Sequence, residues 1–594
     1  MAAGLQSPSP EPPGKRKARA SGFFNAAVGL VALLVIVPLA LQASHEPPPS
    51  VAEFAPQVQT QIKQAPNQQS SEFGRGAGGS DSGPAGGSPP SPPASSSSSS
   101  PPPPPPKDVP AALLKHCVGD PPRQIEDAQS PPCIPYWQGD NGGATAKGVS
   151  HETIYLAEPT DCQTATGQGE SYLEYNDLVA FFNKRFEFYG RTVVPYCYQT
   201  GNGSASQATE ESDADNIAAN PTPQFAATMY RSGDGRYFTP RLSCVHHIID
   251  VTYYLNPLTT AEMHNCPGYI YQYTMDFDTE ASMLGQWTCS RLVPGNAVHA
   301  GGNDNATPPR PMASDPRKFG IIFQPFYNDE PGAVKPLRDQ LALCGVNIPD
   351  RDVLVDPVVD PTAGAVPEDP SQAGNAMLQL KNDGVTSVLC LCNMYTYGAF
   401  TRAADSQRYY PEWLGTSYGG LDNTVFAQDL GSSPPDQLQH LFGLSFRPRV
   451  VPPQEEPYYQ AMREVDPGNT PKGPDSVDVE VDQEVYHNLL MLMSGFQMAG
   501  PNLTPKSFGD GLARTAFPNP DTPLREGHVG FGGYTYSMTT DGAEFWYGIK
   551  EQSPYPDTSG SGAICYVEDG RRYTAGHWPR GGDPFFTTPC NGVT

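Results

Sequence analysis

Residues 152–198 read ETIYLAEPTDCQTATGQGESYLEYNDLVAFFNKRFEFYGRTVVPYCY, and their texture decides the fold. Residues 152–157 form an apolar, β-branched run of strand length. Over 172–189 the period changes: Leu173, Leu178, Phe181, Phe182 and Phe186 recur at helical spacing, and Gly190 supplies the stop. Residues 192–198 return to a strand pattern. Strand, helix, strand in that order is the unit of an α/β sheet.

The same alternation continues in both directions along the chain. A helix is expected over 206–219, with strands over 225–230 and 248–253 and a helix around 279–292. A polar loop at 294–316 is expected to cross between lobes. Beyond it a second run opens with a strand at 319–323 and a helix through Leu337 and Leu341 that closes at Gly345. A strand at 353–355 and a helix at 372–382 follow. The run 385–392 has no polar face, which places it at the centre of a sheet covered on both sides. A helix near 399–404 and a strand at 413–416 complete this run. Helical spacing returns at 454–462 and at 481–499, where Val485, Leu489, Leu490, Leu492, Met493 and Phe496 form an apolar surface that must dock on a sheet. Residues 530–547 alternate like hairpin strands. Two consecutive α/β sheets imply two lobes.

Composition fixes what lies outside them. The chain has 594 residues, with 67 prolines and 59 glycines unevenly spread. Residues 44–110 are dominated by Pro, Ser, Gly and Gln, including serines from Ser95 to Ser100 and prolines from Pro101 to Pro106. Such a stretch cannot fill a core and reads as a flexible-to-extended tether. Ahead of it, Lys15, Arg16, Lys17 and Arg19 precede an apolar run from Phe23 to Leu41, about 19 residues and long enough to span a bilayer. Basic residues on its N-terminal side keep that end cytoplasmic, so the remainder lies outside the cell membrane. The small-residue positions a signal peptidase needs are poorly met around Ala40 and Ala43, which favours an uncleaved anchor over a removed signal peptide. A net charge of −26 argues against nucleic acid as a partner. Twelve cysteines in an exported chain favour disulfides, with Cys117–Cys133 and Cys565–Cys590 as local staples. Cys390 and Cys392 are expected to be buried as apolar residues or paired with distant cysteines.

Four strings carry a resemblance: DLVAFFNKRFEFYGRTV at 177–193, RKFGIIFQP at 317–325, AGPNLTPKSFGDGL at 499–512 and CYVEDGRRYTAGHWP at 565–579. In their order and spacing they resemble the branched-chain-amino-acid type of ABC-transporter solute-binding proteins, notably actinobacterial relatives. The resemblance covers roughly residues 148–586. It implies the type I periplasmic-binding-protein fold: α/β, two lobes, each a mainly parallel sheet flanked by helices, with a ligand cleft between them that closes at a hinge. The resulting layout is a cytoplasmic tail (1–22), a signal anchor (23–43), the linker (44–110), an N-terminal extension (111–148), lobe 1 (149–315), lobe 2 (316–447), a return to lobe 1 (448–524) and a C-terminal segment completing lobe 2 (525–594).

Carried over residue by residue, the resemblance places Ser232, Gly233, Thr252 and Tyr253 on the lobe 1 side of the cleft. On the lobe 2 side it places Tyr327, Asn328, Tyr395, Tyr397 and Tyr418. Amino-acid-binding members put an acidic residue after the strand corresponding to 413–416; here Ser417 and Tyr418 stand there, with Asp422 the nearest carboxylate. The expected function is capture of a small polar or anionic solute for an ABC permease, with no enzyme activity, cofactor or metal. A cell-surface sensory or interaction module is the alternative. The adjacent His246 and His247 with Asp250 do not make a catalytic or zinc site, because neighbouring residues on a strand point to opposite faces. The folded part holds no phosphate-binding Gly-x4-Gly-Lys loop.

Overall fold

A computed structural model describes residues 115–590, apart from 126, 165–166, 169, 201–205, 231–234, 253–257, 304–309, 324–333, 356–369, 425–426, 428–431, 466, 468–477, 520–526, 533–534, 554–560 and 588–589. The expected anchor and linker lie outside these residues. Among the described residues no helix is long and apolar enough to cross a membrane.

The first sheet has five strands: β1 (Thr153–Thr160), β2 (Thr192–Gln199), β3 (Ala226–Ala227), β4 (Ile249–Val251) and β5 (Ile270–Tyr271). Their order is β2-β1-β3-β4-β5, with every pairing parallel. Helix α1 (Glu170–Arg185) joins β1 to β2, and α2 (Gln207–Ala218) joins β2 to β3. Lys184 and Arg185 in the last turn of α1 complement the helix dipole. Gly190, at φ +80, then takes the left-handed conformation that sends the chain into β2. Ser206 caps α2, its hydroxyl accepting from the Thr209 N–H at 3.2 Å. The helices lie on opposite faces: Leu178 and Phe182 of α1 pack with Leu156, whereas Ala214 and Ile217 of α2 pack with Ala157.

The second sheet repeats this plan. Strands β6 (Phe319–Phe323), β7 (Val353–Val355), β8 (Ser387–Leu391), β9 (Glu412–Gly415) and β10 (Leu441–Ser445) run parallel in the order β7-β6-β8-β9-β10. Antiparallel β11 (Asp541–Gly548), β12 (Ala563–Tyr566) and β13 (Arg572–Thr574) extend its edge. β8 has parallel neighbours on both sides and is buried throughout, as its lack of a polar face demands. Helix α3 (Phe277–Trp287) precedes β6. Helices α4 (Lys335–Leu343), α5 (Pro370–Asn382) and α6 (Met394–Ser406) follow β6, β7 and β8.

After β10 the chain returns to the first sheet through α7 (Pro457–Val465), α8 (Asp478–Met498) and α9 (Pro505–Arg514). The α8 surface docks against α1, with the rings of Phe182 and Tyr486 5.4 Å apart. Phe496 and Phe508 meet Phe225 just before β3. Each large apolar side chain so enclosed contributes roughly 1.5–3 kcal/mol of transfer free energy.

The structure corrects several expectations. The chain passes between sheets before α3, not in the loop at 294–316: Phe277, Leu284 and Trp287 pack with Phe319, Ile321 and Leu337 of the second core. That loop stays with the second lobe because its ends pair at Asn296 and Pro316. Arg317, just after it, donates to the buried Glu412 from both Nε and Nη2, at 2.8 and 2.9 Å. Helix α1 stops at Arg185, short of the expected 189, and Phe186 and Phe188 fill the core from the turn. Among the described residues of 530–547 a regular strand occupies only the β11 end. All twelve cysteines are paired, as Cys117–Cys133, Cys162–Cys197, Cys244–Cys266, Cys289–Cys344, Cys390–Cys392 and Cys565–Cys590. Cys390 and Cys392 thus bond to each other and to no distant cysteine, since residues two apart project from one face of β8.

Candidate functional site

Both parallel sheets share the order 2-1-3-4-5, in which the chain first fills one side of its opening strand and then the other. The crevice outside the carboxyl ends of the strands at that reversal is where open α/β sheets take ligands. In the first sheet the reversal lies between β1 and β3, where Glu158, Thr160 and Thr228 stand. In the second it lies between β6 and β8, and β8 leads to Asn393. The Asn393 side chain caps α6, accepting from the N–H groups of Tyr395 and Thr396 at 3.0 and 2.9 Å. The turn after β9 passes against this cap. Gly419, at φ +62, sits so close that a Cβ there would lie 2.2 Å from the Asn393 Cα.

Of the residues singled out from the sequence, Ser232, Gly233, Tyr253, Tyr327 and Asn328 lie outside the described residues. Thr252 directly follows β4 and is buried; its N–H donates to the Tyr271 carbonyl at 3.0 Å. Tyr395, in the first turn of α6, is 36% exposed. Tyr397 is fully enclosed, its ring edge-on to Trp413 at 5.4 Å, and burial drives its hydroxyl pKa far up. Tyr418 is buried with its ring against Phe277 at 5.3 Å. Its backbone N–H donates to Glu280 Oε1 at 2.8 Å and Thr416 Oγ1 at 3.1 Å. The structure therefore brings Tyr395, Tyr397 and Tyr418 to the ends of adjacent strands, and Tyr397 and Tyr418 are held there by packing.

Sequence reading missed the charged cluster beside this turn. Asp422 accepts from Ser417 Oγ at 2.5 Å and Ser445 Oγ at 2.7 Å. Arg447, just after β10, lies 3.6 Å from Asp422 and 3.6 Å from Glu484 of α8. Glu280 of α3 completes the group through Thr416 and Tyr418. Three buried carboxyl groups thus face one guanidinium, and the cluster ties α8 of the first lobe to the second. Burial is the main cause pushing Glu280 up to about 8; the Thr416 and Tyr418 donors oppose it. Burial likewise pushes Glu484 up to about 7, against the pull of Arg447. Asp422, the carboxylate nearest Ser417 and Tyr418, is engaged by two hydroxyls and Arg447. No local spacing could have revealed the cluster, because its members come from four separate elements.

The histidine pair is divided between separate surroundings. His246 meets Asp215 at 2.6 Å, where Arg241 also binds through Nε and Nη2. Hydrogen bonds from Arg241 and then His246 hold the Asp215 carboxyl down at about 2. Asp250, inside the sheet, accepts from Thr239 Oγ1 at 2.6 Å, and burial raises it to about 8. Among the described residues no group of three His, Cys, Asp or Glu side chains could hold a metal ion.

No protein-family model and no curated protein sequence matches the chain. In fold it is similar to solved solute-binding proteins of ABC transporters. A Rhodopseudomonas palustris protein in complex with 4-hydroxybenzoate is 10% identical, covering 71% of this chain and 97% of its own, at a TM-score of 0.45. A fatty acid ABC transporter substrate-binding protein from Thermomonospora curvata is 13% identical, covering 73% and 95%, at 0.45. A Desulfitobacterium hafniense substrate-binding protein in complex with Leu is 11% identical, covering 71% and 99%, at 0.41.

Proposed function

We propose that the chain is an extracytoplasmic solute-binding protein that captures a small polar or anionic solute, such as an amino acid, amide or short carboxylate, by closing two lobes on it. The supporting observation is the doubled plan: two sheets of order 2-1-3-4-5, each with its own reversal, joined by three passages at 272–276, 446–456 and 515–540. A pair of lobes joined by such passages can hinge, and a solute that contacts both favours the closed form. The chain's role is binding and delivery, with an ABC permease as the receiving partner and residues 23–43 as the membrane anchor. The tether at 44–110 then holds the lobes away from the bilayer.

A thermal-shift screen of the full chain against amino acids, amides, short carboxylates and sugars tests this. A solute at about a hundred times its Kd adds roughly 2.7 kcal/mol of stability and raises Tm by a few degrees. A flat response across the whole panel from a folded sample contradicts the reading and turns the search to protein partners.

A further inference from the structure

Resting on the solute-binding reading, we propose that Glu158, with Thr228 beside it, receives a cationic or N–H-bearing nitrogen of the solute at the reversal of the first sheet. Glu158 is the sixth residue of β1 and 0% exposed, and among the described residues neither of its carboxyl oxygens has a hydrogen-bond partner. It shares the α1 face of the sheet with Leu156, two residues earlier. Thr228 directly follows the adjoining strand β3, and its N–H donates to the Ala157 carbonyl at 2.9 Å. Because Leu156 is in register with Ala226, Thr228 emerges on that same face next to Glu158. It is 2% exposed and its Oγ1 has no partner either.

Asn488 of α8 lies 3.8 Å from the sulfur of Met229, the residue after Thr228. Its Nδ2 donates to the Glu484 carbonyl at 2.9 Å, and its Oδ1 is buried and unpartnered. Glu158 and Thr228 thus leave buried oxygens unmatched side by side, and that place is the switch point where the topology puts a ligand. The missing complement is a group that donates. Burial, followed by the nearby charge of Glu174, pushes the Glu158 carboxyl well above its usual range, and a bound ammonium would reverse that. Among the donors a solute carries, a nitrogen cation both donates to these oxygens and neutralises the Glu158 carboxylate. The reading narrows the solute to one carrying an ammonium, guanidinium or amide N–H.

The test uses the full chain as wild type, Glu158→Gln, Glu158→Met and Thr228→Val. Thermal shift and titration calorimetry are run with two probe sets, amino acids with short alkylamines, and nitrogen-free carboxylates. The expected result is wild-type binding of a nitrogen-bearing probe that weakens about 10- to 100-fold in either Glu158 variant and severalfold in Thr228→Val. The Glu158 variants without solute should melt at the same temperature as wild type or higher, because an unmatched buried acid is gone. A lower Tm with binding intact would make Glu158 a structural residue and overturn the proposal. Equal binding of nitrogen-free carboxylates by wild type and variants would overturn it too, while leaving the solute-binding reading standing. Silence of the wild type toward both sets would overturn both.

Discussion

Replacing Arg447 by methionine lowers the stability of the folded chain by about 3–5 kcal/mol at pH 8, the usual cost of stripping the partner from buried charges, and by clearly less at pH 5. Arg447 is the guanidinium standing 3.6 Å from both Asp422 and Glu484. Methionine fills the volume of the stem and offers no charge, so at pH 8 it leaves ionised carboxyl groups facing each other out of water. At pH 5 Glu280 and Glu484, raised to about 8 and about 7, are protonated in the folded state, and the lost cation matters less. Denaturant titrations at the two pH values check this. An equal loss at both, or a loss below about 1 kcal/mol at pH 8, would mean that Arg447 does not hold the cluster together.

Stability of the wild-type chain peaks near pH 4–5 and falls toward pH 8. The sign follows from proton binding. Burial raises Glu280 and Asp250 to about 8, Glu484 to about 7 and Asp278 to about 6 in the folded state. Each binds a proton that the unfolded chain has released above its ordinary carboxyl pKa. Their contribution is full below about pH 4 and is lost as pH rises through the folded values. On the acid side Asp541 acts oppositely. Burial alone would raise it, but Arg572 and His528 overcome that and hold it low, so its contribution disappears as pH drops. From pH 5 to pH 8 the fall should exceed roughly 3 kcal/mol, because each of these acids costs ~1.4 kcal/mol for every pH unit it holds its proton beyond the unfolded chain. Glu280→Gln keeps an acceptor for the Tyr418 N–H and should flatten this slope. A profile that rises between pH 5 and pH 8, or an unchanged slope in Glu280→Gln, contradicts the assignment.

Much of the architecture was legible because it rests on local periodicity. The strand at 319–323 has the expected ends, and the apolar run around β8 announced a strand covered on both faces. The staples Cys117–Cys133 and Cys565–Cys590 were readable because each closes a short loop. What failed depends on which surface meets which. The apolar spacing of α3 shows that one side is buried but not against which sheet, so the passage between lobes was placed too late. β10 went unrecognised because its five residues, LFGLS, carry a glycine where Gly443 packs tightly on the Gly415 backbone.

The site was less legible than the fold. Tyr397 and Tyr418 were singled out through the resemblance, and only packing shows that both are buried. Glu280, Asp422, Arg447 and Glu484 have no common spacing, and neither do Glu158 and Thr228. They become a group once parallel pairing sets their strands side by side and α8 comes back across them. A carboxyl group's surroundings, and hence its pKa, are properties of the folded chain.

The account's central claim is closure of two lobes on a solute, and the most direct measurement is the distance between them. Fluorophores carried on non-canonical amino acids at Lys184 of α1 and at the exposed Leu343 of α4 leave the six disulfides untouched. The solute giving the largest thermal shift is then titrated into the labelled full chain. The account predicts a saturable change in energy transfer with the same midpoint as binding by calorimetry. Saturable binding with the inter-lobe distance unchanged would contradict it.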